Sequence, residues 1–164
     1  EYPVGGIIYF SQNLQNPEQV SAMTEKSQEY SMDRIGLPLL LSVDEEGGAV
    51  TRFGENPQFG FDASADMKAI GESGDTQQAY DLGARIGGFL SDLGFNMDNA
   101  PVADVLSNPE NTVVKDRSFG LDSRVVSEMA LAELRGLESQ GITGVLKHFP
   151  GHGATAADTH EGYA

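Results

Sequence analysis

Gly36, Gly94 and Gly141 each fall between a segment of helical periodicity and a short apolar run, and this recurrence restricts the fold more than any other feature of the chain. A glycine just past a helix supplies the left-handed backbone that ends it. The apolar runs are Gly6–Phe10 before the first helical segment, then Leu37–Val43, Phe95–Val102 and Ile142–Phe149 after the three glycines. Short, β-branched or aromatic, and bounded by turn residues, they read as buried strands. The first helix opens at Asn16, with Asn16 as cap, Pro17 suited to the first helical position and Gln19 placed to answer the cap. A second runs from about Thr76 to Leu93, with Ala79, Leu82, Ile86, Phe89, Leu90 and Leu93 on one face. A third follows a cap at Asp122 or Ser123, and Val126, Met129, Ala130, Leu134 and Leu137 share its inner face.

Strands joined through crossover helices lie parallel, so the expected fold class is α/β with a parallel sheet. Four such strands are about half of a (β/α)8 barrel, which needs roughly 250 residues. An open doubly wound sheet is the alternative. The barrel is preferred because the chemically interesting residues fall at the carboxyl ends of successive strands, whereas an open sheet would gather them at one crevice. Residues 1–164 are therefore expected to be one partial barrel domain, cut at both ends. The chain starts without methionine and stops just after its richest loop, so any targeting segment would lie outside it. Phe53–Ser73 and the stretch around Lys115–Gly120 read as long irregular loops.

A formal charge of −15 disfavours nucleic acid and anionic lipid as partners. The absence of cysteine excludes disulfides and thiolate zinc sites. No apolar run approaches the roughly 20 residues of a membrane span. Compartment and oligomeric state stay open.

The chemistry concentrates near the end. Lys147-His148-Phe149-Pro150-Gly151-His152-Gly153, continuing to Asp158-Thr159-His160, holds all three histidines of the chain. Asp158 and His160 are spaced so that in a turn the carboxylate reaches one imidazole nitrogen and leaves the other free to pass a proton. His148, His152, His160 and Asp158 also carry donor atoms suited to a metal. The third reading is a polar loop with surface histidines. Lys147 would repel a metal ion and favours an anionic or hydroxyl-rich ligand. Upstream, Asp44-Glu45-Glu46-Gly47-Gly48 sets three acids beside two glycines just after a strand, where a carboxylate can accept from sugar hydroxyls; an acidic turn ahead of a helix is the plainer explanation. Arg52 and Arg117 could equally be surface or ion-paired arginines.

Taken together, Asp44-Glu45-Glu46-Gly47-Gly48 with Arg52, Arg117-Ser118-Phe119-Gly120, and the Lys147–Gly153 element with its downstream Asp158-Thr159-His160 resemble glycoside hydrolase family 3, in its β-N-acetylglucosaminidase branch. Thr159 stands where that branch often has serine. The resemblance implies a (β/α)8 barrel that releases terminal N-acetylhexosamine from glycans such as cell-wall fragments, with no cofactor. It implies that Asp44, Arg52, Arg117, Lys147 and His148 bind the sugar, that His160 is the acid/base with Asp158 as its partner, and that the aspartate nucleophile comes from a later strand. The competing expectations are a sugar-binding barrel without turnover and a histidine-ligated metal hydrolase.

Overall fold

A computed structural model describes residues 3–156 and residue 158. Its sheet contains β1 (Gly6–Ile8), β2 (Leu40–Val43), β3 (Met97–Asp98) and β4 (Thr143–Gly144), all parallel and ordered β1-β2-β3-β4. Each strand lies beside its predecessor with no reversal of order. That is the arrangement of an arc of a barrel; a doubly wound sheet would step back across its first strand. α1 (Pro17–Ile35) connects β1 to β2, α2 (Met67–Ser73) and α3 (Thr76–Asp92) connect β2 to β3, and α4 (Ser123–Ser139) connects β3 to β4. Gly36, Gly94 and Gly141 have φ of 69°, 82° and 81°, the left-handed backbone their positions required.

The expected strands are longer than the observed ones. Beyond β3 and β4 the regular ladder gives way to single contacts, a bridge between Val102 and Lys147 and the bond from Ala103 N to Lys147 O at 2.7 Å. Pro101 interrupts there, having no N–H to donate. The Phe53–Ser73 connection is not structureless: it contains a 3-10 turn at Pro57–Phe59 and then α2, capped by Asp66, which accepts from Ala69 N. Seven residues are too few for a hydrophobic period to show in the sequence. A 3-10 turn at Lys115–Arg117 likewise orders the second expected loop. Asn16 caps α1 by accepting from Gln19 N at 2.8 Å, but the Gln19 side chain accepts from Gln15 N, one residue outside the cap.

Strand alternation sends Leu41 and Val43 to the helices, where they join Ile86, Leu90, Phe95, Met129 and Leu137 in the core. Phe53 is fully buried and meets Phe59, Phe89 and Phe95 edge-on at 4.9, 5.1 and 6.0 Å. Ile8 and Leu40 lie on the opposite sheet face and stay half exposed. α3 and α4 touch through their backbones: a Cβ on Gly83 would lie 2.1 Å from Glu133 O, and one on Gly136 2.2 Å from Tyr80 O. α1 docks differently, through polar groups. Thr24 donates to Leu93 O at 2.7 Å, Gln28 both donates to Leu39 O and accepts from Leu39 N, and Ser31 donates to Leu37 O.

Candidate functional site

Every side chain of interest leaves the sheet at its carboxyl end. β2 runs straight into Asp44, Glu45 and Glu46, and alternation continues one step past the strand. Asp44 and Glu46 face a cleft of about 590 Å³, while Glu45 turns into the protein. There Glu45 Oε2 accepts from Arg52 N (2.8 Å) and Phe53 N (3.2 Å), and Gly47 bridges Val50, so the chain doubles back. This return carries the Arg52 guanidinium to Asp44, at 3.3 Å.

Lys147 and His148 follow β4 and Arg117 comes from the 3-10 turn. Lys147 Nζ lies 3.2 Å from Asp44 Oδ1 and 2.5 Å from Glu46 Oε1. Arg117 grips Glu46 with both arms of its fork, Nε to Oε2 at 2.8 Å and Nη2 to Oε1 at 2.6 Å. Arg117 Nη2 also lies 3.1 Å from His148 Nε2. The opposite ring nitrogen, Nδ1, is 2.6 Å from Asp104 Oδ2. The Lys147–His148 and Phe149–Pro150 peptide bonds are cis, as is Ala100–Pro101.

The electrostatics follow from this packing. Burial acts to raise the Asp44 carboxyl, but Lys147 and then Arg52 outweigh it and hold the group below its ordinary value. Asp104 is also lowered: burial raises it, and hydrogen bonds from His148 and His152 overcome that. Burial would lower the Arg117 guanidinium, yet Glu46 keeps it above its ordinary value. Arg52, Arg117 and Lys147 thus pair with Asp44 and Glu46 around the cleft, with the Asp104 carboxyl behind His148, in a chain whose formal charge is −15. Such a surface offers donors and acceptors side by side. It suits a neutral, hydroxyl-rich ligand better than an anion, which Asp44 and Glu46 would repel.

Asp44, Arg52, Arg117, Lys147 and His148 are therefore drawn from distant stretches of chain into one cleft. Asp158 is half-buried irregular backbone, and His160 lies outside the described residues. The metal expectation meets a donor problem at His148, whose two nitrogens already face Asp104 and Arg117. His152 is buried, with Nδ1 3.0 Å from Thr155 Oγ1. Among the described residues no group of three or more His, Asp or Glu is placed to hold a metal ion.

Two participants carry no role of their own in the sequence reading. Glu46, 2% exposed, is the acid that both Arg117 and Lys147 contact. The i, i+2 spacing from Asp44 was the available signal. Asp104, 3% exposed, holds His148 and His152. Its only sequence signal is an acid just beyond a strand.

The glycosyl hydrolase family 3 N-terminal domain matches residues 1–164. A β-hexosaminidase A from Pseudoalteromonas piscicida is 36% identical over 162 residues, covering 98% of this chain and 27% of that protein. A β-hexosaminidase from Nitrosomonas eutropha is 37% identical over 163 residues, 96% of this chain and 44% of that protein. Among solved structures, a glycoside hydrolase family 3 β-N-acetylglucosaminidase from Paenibacillus sp. str. FPU-7 superposes with a TM-score of 0.89 at 41% identity, covering 96% of this chain and 29% of its own. The chain thus spans less than half the length of each of these relatives, and its parallel strands form a fragment of their barrel domain.

Proposed function

We propose, for a chain that belongs to glycoside hydrolase family 3, that the protein carrying it hydrolyses terminal β-linked N-acetylhexosamine residues from glycans such as peptidoglycan fragments. The observation that carries this reading is the charge-balanced cleft in which Asp44, Arg52, Arg117, Lys147 and His148 converge. The names of its relatives support the same substrate class.

A retaining glycosidase needs a nucleophile below the anomeric carbon and a proton donor beside the leaving oxygen. In this proposal His160 is that donor. Its imidazole, with an ordinary pKa of about 6.5, takes up a proton readily when a carboxylate sits beside it, and Asp158 supplies that carboxylate. His160 protonates the departing oxygen and then takes a proton from the incoming water. The nucleophile is an aspartate from a later strand of the barrel. Lys147, Arg117 and Asp44 hold ring hydroxyls, so that binding tightens as the ring flattens toward the oxocarbenium-like transition state.

The test uses the full-length protein with an aryl N-acetyl-β-glucosaminide and with a natural disaccharide. Steady release of N-acetylglucosamine with retained configuration is expected. His160→Ala should lose far more activity on the disaccharide, whose leaving group is poor, than on the activated aryl glycoside. Equal losses on both would remove His160 from the acid role. Sugar binding without any release would replace the hydrolase with a binding barrel.

A further inference from the structure

We infer that Asp104 is a positioning residue: it dictates which nitrogen of His148 carries the proton, and so makes the Nε2 of His148 the acceptor that holds Arg117 in the cleft. The argument begins with what each atom can do. Asp104 sits on the connection after β3, two residues past the Val102 that bridges Lys147, and is 3% exposed. Its Oδ2 accepts from His148 N at 3.1 Å and faces His148 Nδ1 at 2.6 Å, and its Oδ1 accepts from His152 N at 2.6 Å. An ionised carboxylate can only accept, so the proton lies on Nδ1. At the other end of the ring Arg117 Nη2 approaches Nε2 to 3.1 Å. A guanidinium can only donate, so Nε2 is unprotonated and accepts from it through its one lone pair. The network thus assigns His148 as the neutral Nδ1–H tautomer.

The same logic propagates without ambiguity. Arg117 donates to Glu46 and to His148, and Lys147 donates to Glu46 and Asp44. Arg52 donates to Asp44. Cations and carboxylates alternate along this line, and His148 is the one member able to reverse its polarity. Asp104 removes that freedom from below. By holding the amides of both His148 and His152 it also fixes the turn on which the ring is mounted. The one lone pair at Nε2 is taken by Arg117, so the ring steadies the guanidinium that lines the cleft.

Asp104→Asn nearly keeps the volume but replaces one acceptor oxygen by an amide nitrogen. With that nitrogen facing Nδ1, the proton moves to Nε2 and confronts the guanidinium, donor against donor. Replacement of the analogous buried aspartate by asparagine in the serine-protease triad acts the same way, through the wrong tautomer.

The experiment uses the full-length protein labelled with nitrogen-15 in histidine. In the wild type the His148 ring should show a protonated Nδ1 and an unprotonated Nε2 across neutral pH, and Asp104→Asn should exchange them. A wild-type ring protonated at Nε2, or at both nitrogens at neutral pH, overturns the inference even if the variant does not fold. Asp104→Asn should lower kcat/KM on the aryl glycoside by about 100-fold, the scale of a misplaced binding group. In a His148→Ala background the same substitution should cost less than about 5-fold, because the residue it acts through has gone. Multiplicative losses in the two backgrounds would overturn a role exerted through His148. The kinetic arm rests on the hydrolase reading and the tautomer arm does not, so the two fail separately.

Discussion

Asp44 and Glu46 on one side of the turn after β2, and Glu45, Asp98 and Glu133 behind it, are treated in opposite ways by the same fold. The first pair meets Arg52, Arg117 and Lys147 at ion-pair distance. The second group has no cation at that distance among the described residues, and Glu45 Oε1 and Asp98 Oδ2 are buried without a hydrogen-bond partner. Burial raises Glu45, raises Asp98 well above its ordinary value, and does the same to Glu133, where Asp98 and Glu46 add repulsion. A difference of one step along the chain separates Glu45 from its neighbours. It decides whether a carboxyl meets a cation at the cleft or is buried without one.

The sharpest way to break this contrast is to remove the cation that answers a buried acid. Arg117→Met leaves Glu46 with Lys147 alone, and should cost about 3–5 kcal/mol in urea unfolding of the full-length protein, as breaking a buried pair does. If the loss is under about 1 kcal/mol, Glu46 is not held as a charge. Glu45→Ala comes next. It strips acceptors from the amides of Arg52 and Phe53, which should cost about 1–3 kcal/mol and weaken sugar binding by letting Arg52 drift. Calorimetric titration with N-acetylglucosamine checks the second half.

Glu133→Gln should act in the other direction. A raised folded-state pKa means the native protein binds that proton more tightly than the unfolded chain. Stability therefore falls as pH climbs from the ordinary value of 4.5 toward the folded-state value, and the fallen level persists above it. The glutamine variant escapes this, so its melting temperature should exceed the wild type's at neutral pH by an amount equivalent to about 1 kcal/mol, with the gap closing near pH 4. An unchanged gap across that range would show that repacking, rather than the charge, is responsible. The smallest effect is expected at Asp44. Its lowered carboxyl contributes stability that is fully present above the ordinary value of 3.8 and is lost as pH falls through the folded-state value. Asp44→Asn should shallow the acid limb of the stability curve by less than about 1 kcal/mol, since the pairs are partly exposed.

Much of the fold was legible because it depends on local signals. Asn16, Pro17 and Asp122 mark helix starts, and the three turn glycines mark the approach to β2, β3 and β4. α2 was not legible, because one short capped turn looks like any polar loop. Within the site, Asp44, Arg52, Arg117, Lys147 and His148 were legible through motif resemblance, and the structure brings them into one cleft. Glu46 and Asp104 carry no role of their own there. Their importance lies in partners 71 and 44 positions away, which no local pattern encodes.

Helix caps, turn glycines and alternating apolar runs act over a few residues, so the order of strands and helices, their parallel direction and the kinds of side chain delivered to the sheet's carboxyl end were determined by the sequence alone. Which acids meet a cation and which are buried without one, and which nitrogen of His148 faces Arg117, depends on atoms brought together from the chain around β2, β3 and β4 and from α4. Only the tertiary structure decided that, because the energy of a charge or a proton is set by the groups within a few ångströms of it, whatever their place in the chain.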